Sequence, residues 1–128
     1  MTPPIAASTG QFSGGILNRF SYPKQPGDQP WCVADFWGPS NYTPVTPGHP
    51  PTGGQRIAAQ DFALVTIDWV LAMGDHTGDY SIVVIPANFE VGNAVDAVLL
   101  KWITATGSQV AAGTDLSSFI VRLIASGH

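Results

Sequence analysis

The stretch Phe62-Ala63-Leu64-Val65-Thr66-Ile67-Asp68-Trp69-Val70-Leu71-Ala72-Met73 decides the fold. Apolar side chains occupy both alternating sets: Ala63, Val65, Ile67, Trp69, Leu71 and Met73 on one, Phe62, Leu64 and Val70 on the other. That pattern predicts a strand buried on both faces. Tyr80–Ala87 reads the same way, with Ile82 and Val84 opposite Val83 and Ile85, and Pro86 ending the pairing. The intervening Gly74-Asp75-His76-Thr77-Gly78-Asp79 is rich in turn formers, so the two runs are expected to form a hairpin.

Two further apolar runs follow, Ala94–Ala105 and Leu116–Ala125. Val95, Val98, Leu99, Trp102 and Ile103 fit a helical period, and Asn93 with Asp96 resembles a capping box. Leu116, Phe119, Ile120, Leu123 and Ile124 do likewise, with Gly127 as a C-cap. A strand period is equally present, as Val98, Leu100 and Trp102 alternate with Leu99, Lys101 and Ile103. The β-formers in Ile103–Gly107 and Phe119–Val121, and the need for more than three strands, favour strands. The expected fold is therefore all-β: a small β-sandwich or jelly-roll-like core over residues 58–128. The alternative is α+β, with helices at 94–106 and 115–126.

Residues 1–57 have a different texture. Ten of the eleven prolines lie in the first 51 residues, and proline fixes φ and removes a backbone donor. Phe12, Ile16, Leu17, Phe20, Tyr22, Trp31, Val33, Phe36, Trp37 and Tyr42 are nevertheless too many large apolar groups for a solvated linker. This segment is expected to be an extended N-terminal arm, with one short strand at Trp31–Trp37, lying on the core or on a neighbouring chain.

At 128 residues the chain suits one core. Charged residues make up 11%, against about 25% in an ordinary domain, and such a deficit fits a surface covered by partners. No run reaches the roughly 20 apolar residues of a spanning helix, since Asp68 interrupts the longest, so no membrane role is expected. The net charge is −4 and the five cations are scattered, which gives nucleic acid no linear basic patch. Cys32 is the only cysteine, which leaves no internal disulfide to staple the fold. No basic stretch precedes an apolar one near Met1, so no signal peptide is expected. These features together fit a reducing cytoplasm.

Candidate chemistry is sparse. His49, His76 and His128 are not at metal-ligand spacing, and His128 is expected to fray as the last residue. Asp75, His76, Thr77 and Asp79 form the densest polar cluster, but turn chemistry explains them better than calcium. Gly38-Pro39-Ser40-Asn41 lacks the second glycine of a nucleophile elbow. Asp61, Asp68, Glu90 and Asp96 share no context as paired carboxylates. Cys32 beside Trp31 reads as a packed small hydrophobe. Asn41-Tyr42-Thr43 is a formal glycosylation acceptor without a secretory signal. No enzyme activity and no cofactor are expected. Trp69 and Trp102 are read as core, whereas Trp31 and Trp37 are candidates for contact with another chain.

The run Gly27-Asp28-Gln29-Pro30-Trp31-Cys32-Val33-Ala34-Asp35-Phe36 resembles a stretch of the small structural proteins of tailed bacteriophages. Phe62–Trp69 and the stretch from Leu100-Lys101-Trp102 through Val110–Ser117 are similar to that group too. The resemblance implies a virion component assembled in the host cytoplasm, such as a capsid decoration (cement) protein. Such a protein has a compact β fold, oligomerises, and contacts copies of itself and a major capsid or other virion protein. The resemblance also implies strands for the two C-terminal runs, as a hairpin ending near Ala125. Candidate interface residues are Trp31, Phe36, Trp37, Tyr42, Lys101 and Arg122. A tail protein, a head–tail connector, a receptor- or carbohydrate-binding module, and a small α+β enzyme are the rival expectations.

Overall fold

The computed structural model describes the backbone of residues 16–22 and the whole of residues 31–88 and 95–128. Among the described residues there are seven strands: β1 (Ile16–Tyr22), β2 (Trp31–Trp37), β3 (Gln55–Ala58), β4 (Ile67–Asp75), β5 (Tyr80–Pro86), β6 (Ala97–Thr104) and β7 (Ile120–Gly127). They form two antiparallel sheets, ordered β1-β2-β7-β4 and β3-β6-β5. A single core unites residues of both: Cys32, Ala34, Phe36, Val121, Leu123 and Ala125 from the first, and Ile57, Val98, Leu100 and Trp102 from the second. The protein is an all-β sandwich.

Alternation explains why the two C-terminal runs are strands. In β6 Val98, Leu100 and Trp102 face the common core, while Leu99 packs on the opposite face with Ala87, Ala97 and Ile85. In β7 Val121, Leu123 and Ala125 are fully buried and Arg122 between them is exposed. A helix would place only every third or fourth residue inward, so the helices at 94–106 and 115–126 are excluded. The expected hairpin between these runs is also corrected. β6 is central in the three-stranded sheet and β7 is interior in the other.

The leading stretch is not one doubly buried strand. Ala59–Phe62 forms a 3-10 turn, in which the Asp61 carboxylate accepts the Ala58 N–H at 2.9 Å. Ala63 then adopts φ 61, Val65 is 80% exposed, and pairing begins only at Ile67. β4 is an edge strand, with Val70 and Ala72 against the core and the alternate set turned outward. Nor do β4 and β5 pair with each other: β4 pairs with β7 and β5 with β6. The connection folds tightly because the Asp75 carboxylate accepts the N–H groups of Thr77 (2.8 Å) and Tyr80 (2.6 Å) and the Thr77 hydroxyl. It carries the chain from one sheet to the other.

The boundary at residue 57 does not separate an arm from a core. The prolines lie outside the seven residues Trp31–Trp37, so that run meets no bar to pairing. It forms β2, paired with β1 on one side and along its full length with β7 on the other. β3 completes the second sheet. The arm expectation for residues 1–15 and 23–30 lies outside the described residues.

The prolines gather in the loop 38–54, which crosses between the sheets. Thr46 and Thr52 bridge its base with bonds of 2.8 and 3.1 Å, and the Gly54 N–H donates to Thr43 at 2.6 Å. Gly53 is required there, because its φ is 82° and a Cβ would lie 2.1 Å from the Pro44 carbonyl oxygen. His128 does not fray. Its N–H donates to the Thr66 carbonyl at 3.1 Å, its own carbonyl accepts from Val65 and Thr66, and its ring lies 3.3 Å from Asp68.

Candidate functional site

Residues opposite one another on neighbouring strands share a face. On the outer face of the four-stranded sheet, Trp31 stands opposite Ser126, and Ser126 opposite Trp69. The next row is Val33, Ile124 and Leu71. Asp35 then faces Arg122, and Trp37 faces Ile120. This face is therefore nearly as apolar as the inner one. On β4 its side chains are open: Trp69 is 44%, Leu71 61% and Met73 59% exposed. Three large apolar residues at consecutive outward positions of an edge strand mark a contact surface.

One charged pair interrupts the face. The Arg122 guanidinium donates through Nε to Asp35 Oδ1 at 2.7 Å and through a terminal nitrogen to Oδ2 at 3.0 Å. Asp35 is buried while Arg122 remains half exposed. This two-pronged geometry fixes a planar cation at a defined point of an apolar surface. Beside it, Met73, Gly74, Asp75, His76 and Ile120 complete a hollow of about 380 Å³.

Several polar atoms of that hollow hold the fold. His76 Nδ1 accepts the Ile120 N–H at 3.1 Å, and the His76 N–H donates to the Ile120 carbonyl at 2.8 Å. Burial pushes the Asp75 carboxyl up. The hydrogen bonds from Thr77 and Tyr80 and the nearby His76 outweigh it and hold the group below the usual carboxylate value. Cys32 lies buried on the other face of the sheet. Among the described residues, no group of three or more His, Cys, Asp or Glu converges on a metal position. No helix there is long and apolar enough to cross a membrane.

The candidate interface residues separate into three groups. Trp31, Trp37 and Arg122 lie on the outer face of the four-stranded sheet, the tryptophans partly buried. Phe36 and Tyr42 are corrected to the interior. Phe36 meets Phe62 edge-on at 5.7 Å, and Tyr42 is 1% exposed. Lys101 lies on the outer face of the other sheet, opposite Val83. Trp102 is core, as expected, whereas Trp69 is not. Sequence reasoning missed Trp69, Leu71 and Met73 as surface, although their spacing of two was visible.

Comparison with family models, with curated proteins and with solved structures gave no match for this chain.

Proposed function

We propose that the protein is a non-catalytic assembly module that joins protein chains, copies of itself included, through the outer face of its four-stranded sheet. The setting suggested by the sequence resemblance is the virion of a tailed phage, with a capsid decoration protein as the specific role. The observation that carries this reading is the exposed row Trp69, Leu71 and Met73 beside the fixed Arg122–Asp35 pair. Fully burying one such apolar side chain is worth about 1.5–3 kcal/mol. A stable interface needs about 800 Å² from each partner, more than three side chains supply by themselves. The low charge content suits the same role, because charged residues are depleted at interface centres. Sedimentation of the wild type against Leu71→Lys tests it. Association that weakens in the variant supports the reading, and equal behaviour of the two opposes it.

A carbohydrate-binding role has one observation in its favour: Trp69 presents an open indole on the outer sheet face, where it could stack on a sugar ring. Glycan binding that disappears on Trp69→Ala, without any loss of self-association, would select this second role.

A further inference from the structure

On the far side of the molecule the proline loop stands over the outer face of the three-stranded sheet and leaves a cleft of about 690 Å³. The size is that of a small-molecule site. Its walls are apolar, formed by Pro47, Pro50, Ile85 and Pro86. The loop is held before any ligand arrives, by the Thr46–Thr52 bridge and by the bond from the Val45 N–H to Gln109 Oε1 at 2.6 Å.

The polar side chains described in this cleft offer mainly donors. Lys101 projects from the central strand and has no ion-pair or hydrogen-bond partner among the described residues. Gln109 accepts with Oε1 from both the Tyr42 hydroxyl (3.0 Å) and the Val45 N–H. Its Nε2 is thereby left as a donor with no partner among the described residues. His49 adds a ring N–H. Asn88 Oδ1 accepts the Asp96 N–H at 3.2 Å, and among the described residues no carboxylate lines the cleft. Among the described residues, one cation and two donors without partners stand between apolar walls and form the complement of an anion carrying an apolar body.

We propose that this cleft binds a small carboxylate with a flat apolar body. The carboxylate meets Lys101 and the Gln109 amide, and the body lies between the proline loop and Ile85. The site is on the opposite sheet from the assembly face, so it stands whether or not that face makes oligomers.

The test uses the full chain and two matched probes, 1-naphthoate and the neutral 1-naphthalenemethanol, titrated to millimolar concentration while amide resonances are followed by NMR. The expected result is a saturable shift of His49, Lys101 and Gln109 signals by naphthoate, with the alcohol roughly tenfold weaker, the scale of one charge-assisted hydrogen bond. Lys101→Met should lower naphthoate to the level of the alcohol, and Lys101→Arg should keep most of the difference. Equal affinity for both probes, no shift at these residues, or an unaffected Lys101→Met would overturn the proposal. Lys101 is outside the core, so each variant should retain the wild-type melting curve.

Discussion

The Trp102 indole Nε1 donates to Gln55 Oε1 at 3.0 Å, and Gln55 Nε2 donates in turn to the Trp37 carbonyl at 2.8 Å. One fully buried amide thus joins the two sheets, because Gln55 and Trp102 belong to one sheet and Trp37 to the other. Gln55→Leu keeps the volume and leaves both the indole N–H and the carbonyl without partners. Each orphaned buried group costs about 1–3 kcal/mol. Denaturant unfolding should show a loss in that range or above. Adding Trp102→Phe removes one of the orphans, so the double variant should lose less than the two single losses combined.

Tyr42 completes a strand with its side chain. Beyond the end of β3, the Trp102 N–H donates to the Tyr42 hydroxyl at 3.1 Å. The hydroxyl donates onward to Gln109. Tyr42→Phe should therefore destabilise by about 1–3 kcal/mol. Burial raises the Tyr42 hydroxyl above its ordinary value of 10.0, against the opposing effect of the Trp102 bond. The fold therefore holds this proton more tightly than the unfolded chain does. The resulting stability is fully present below the ordinary value and is lost as pH rises through the folded one. An alkaline unfolding series should show the wild type losing stability from about pH 10, with that part of the slope absent in Tyr42→Phe.

Asp75 works in the opposite direction. Its carboxyl sits below the ordinary value of 3.8 despite burial, because Thr77 and Tyr80 donate to the ionised form. The stability it adds is present above the unfolded value and is lost as pH falls through the folded one. Asp75→Asn should be less stable at neutral pH and show a flatter acid limb below about pH 4. An unchanged acid limb, followed by circular dichroism, would mean that the carboxylate does not hold the β4–β5 turn.

How much of this was legible in the sequence depends on how local the cause is. The strands at 97–104 and 120–127 were legible through their β-formers and the need for more strands, since helical and strand periods both fitted these runs. The strand at Trp31–Trp37 was visible, but its place inside the sheet was not. That place depends on pairing with β7, whose residues lie far along the chain. Gln55 gave no signal. It follows a Gly–Gly loop, and its importance depends on an indole 47 residues away. The open row on β4 was misread for a physical reason. A strand face covered by the chain's own core and one covered by another chain need the same side chains, so Trp69, Leu71 and Met73 look alike in either role. Lys101 was picked out as an interface residue, yet nothing in its local sequence placed it beneath the proline loop.

The measurement that bears most directly on the assembly reading is the absolute mass of the purified chain, by light scattering over a wide range of concentrations. The account predicts a discrete closed oligomer that dissociates on dilution, and a Leu71→Lys variant of unchanged melting temperature that stays at the monomer mass. The monomer mass is 13.5 kDa. A wild-type chain holding that mass at every concentration would contradict the account.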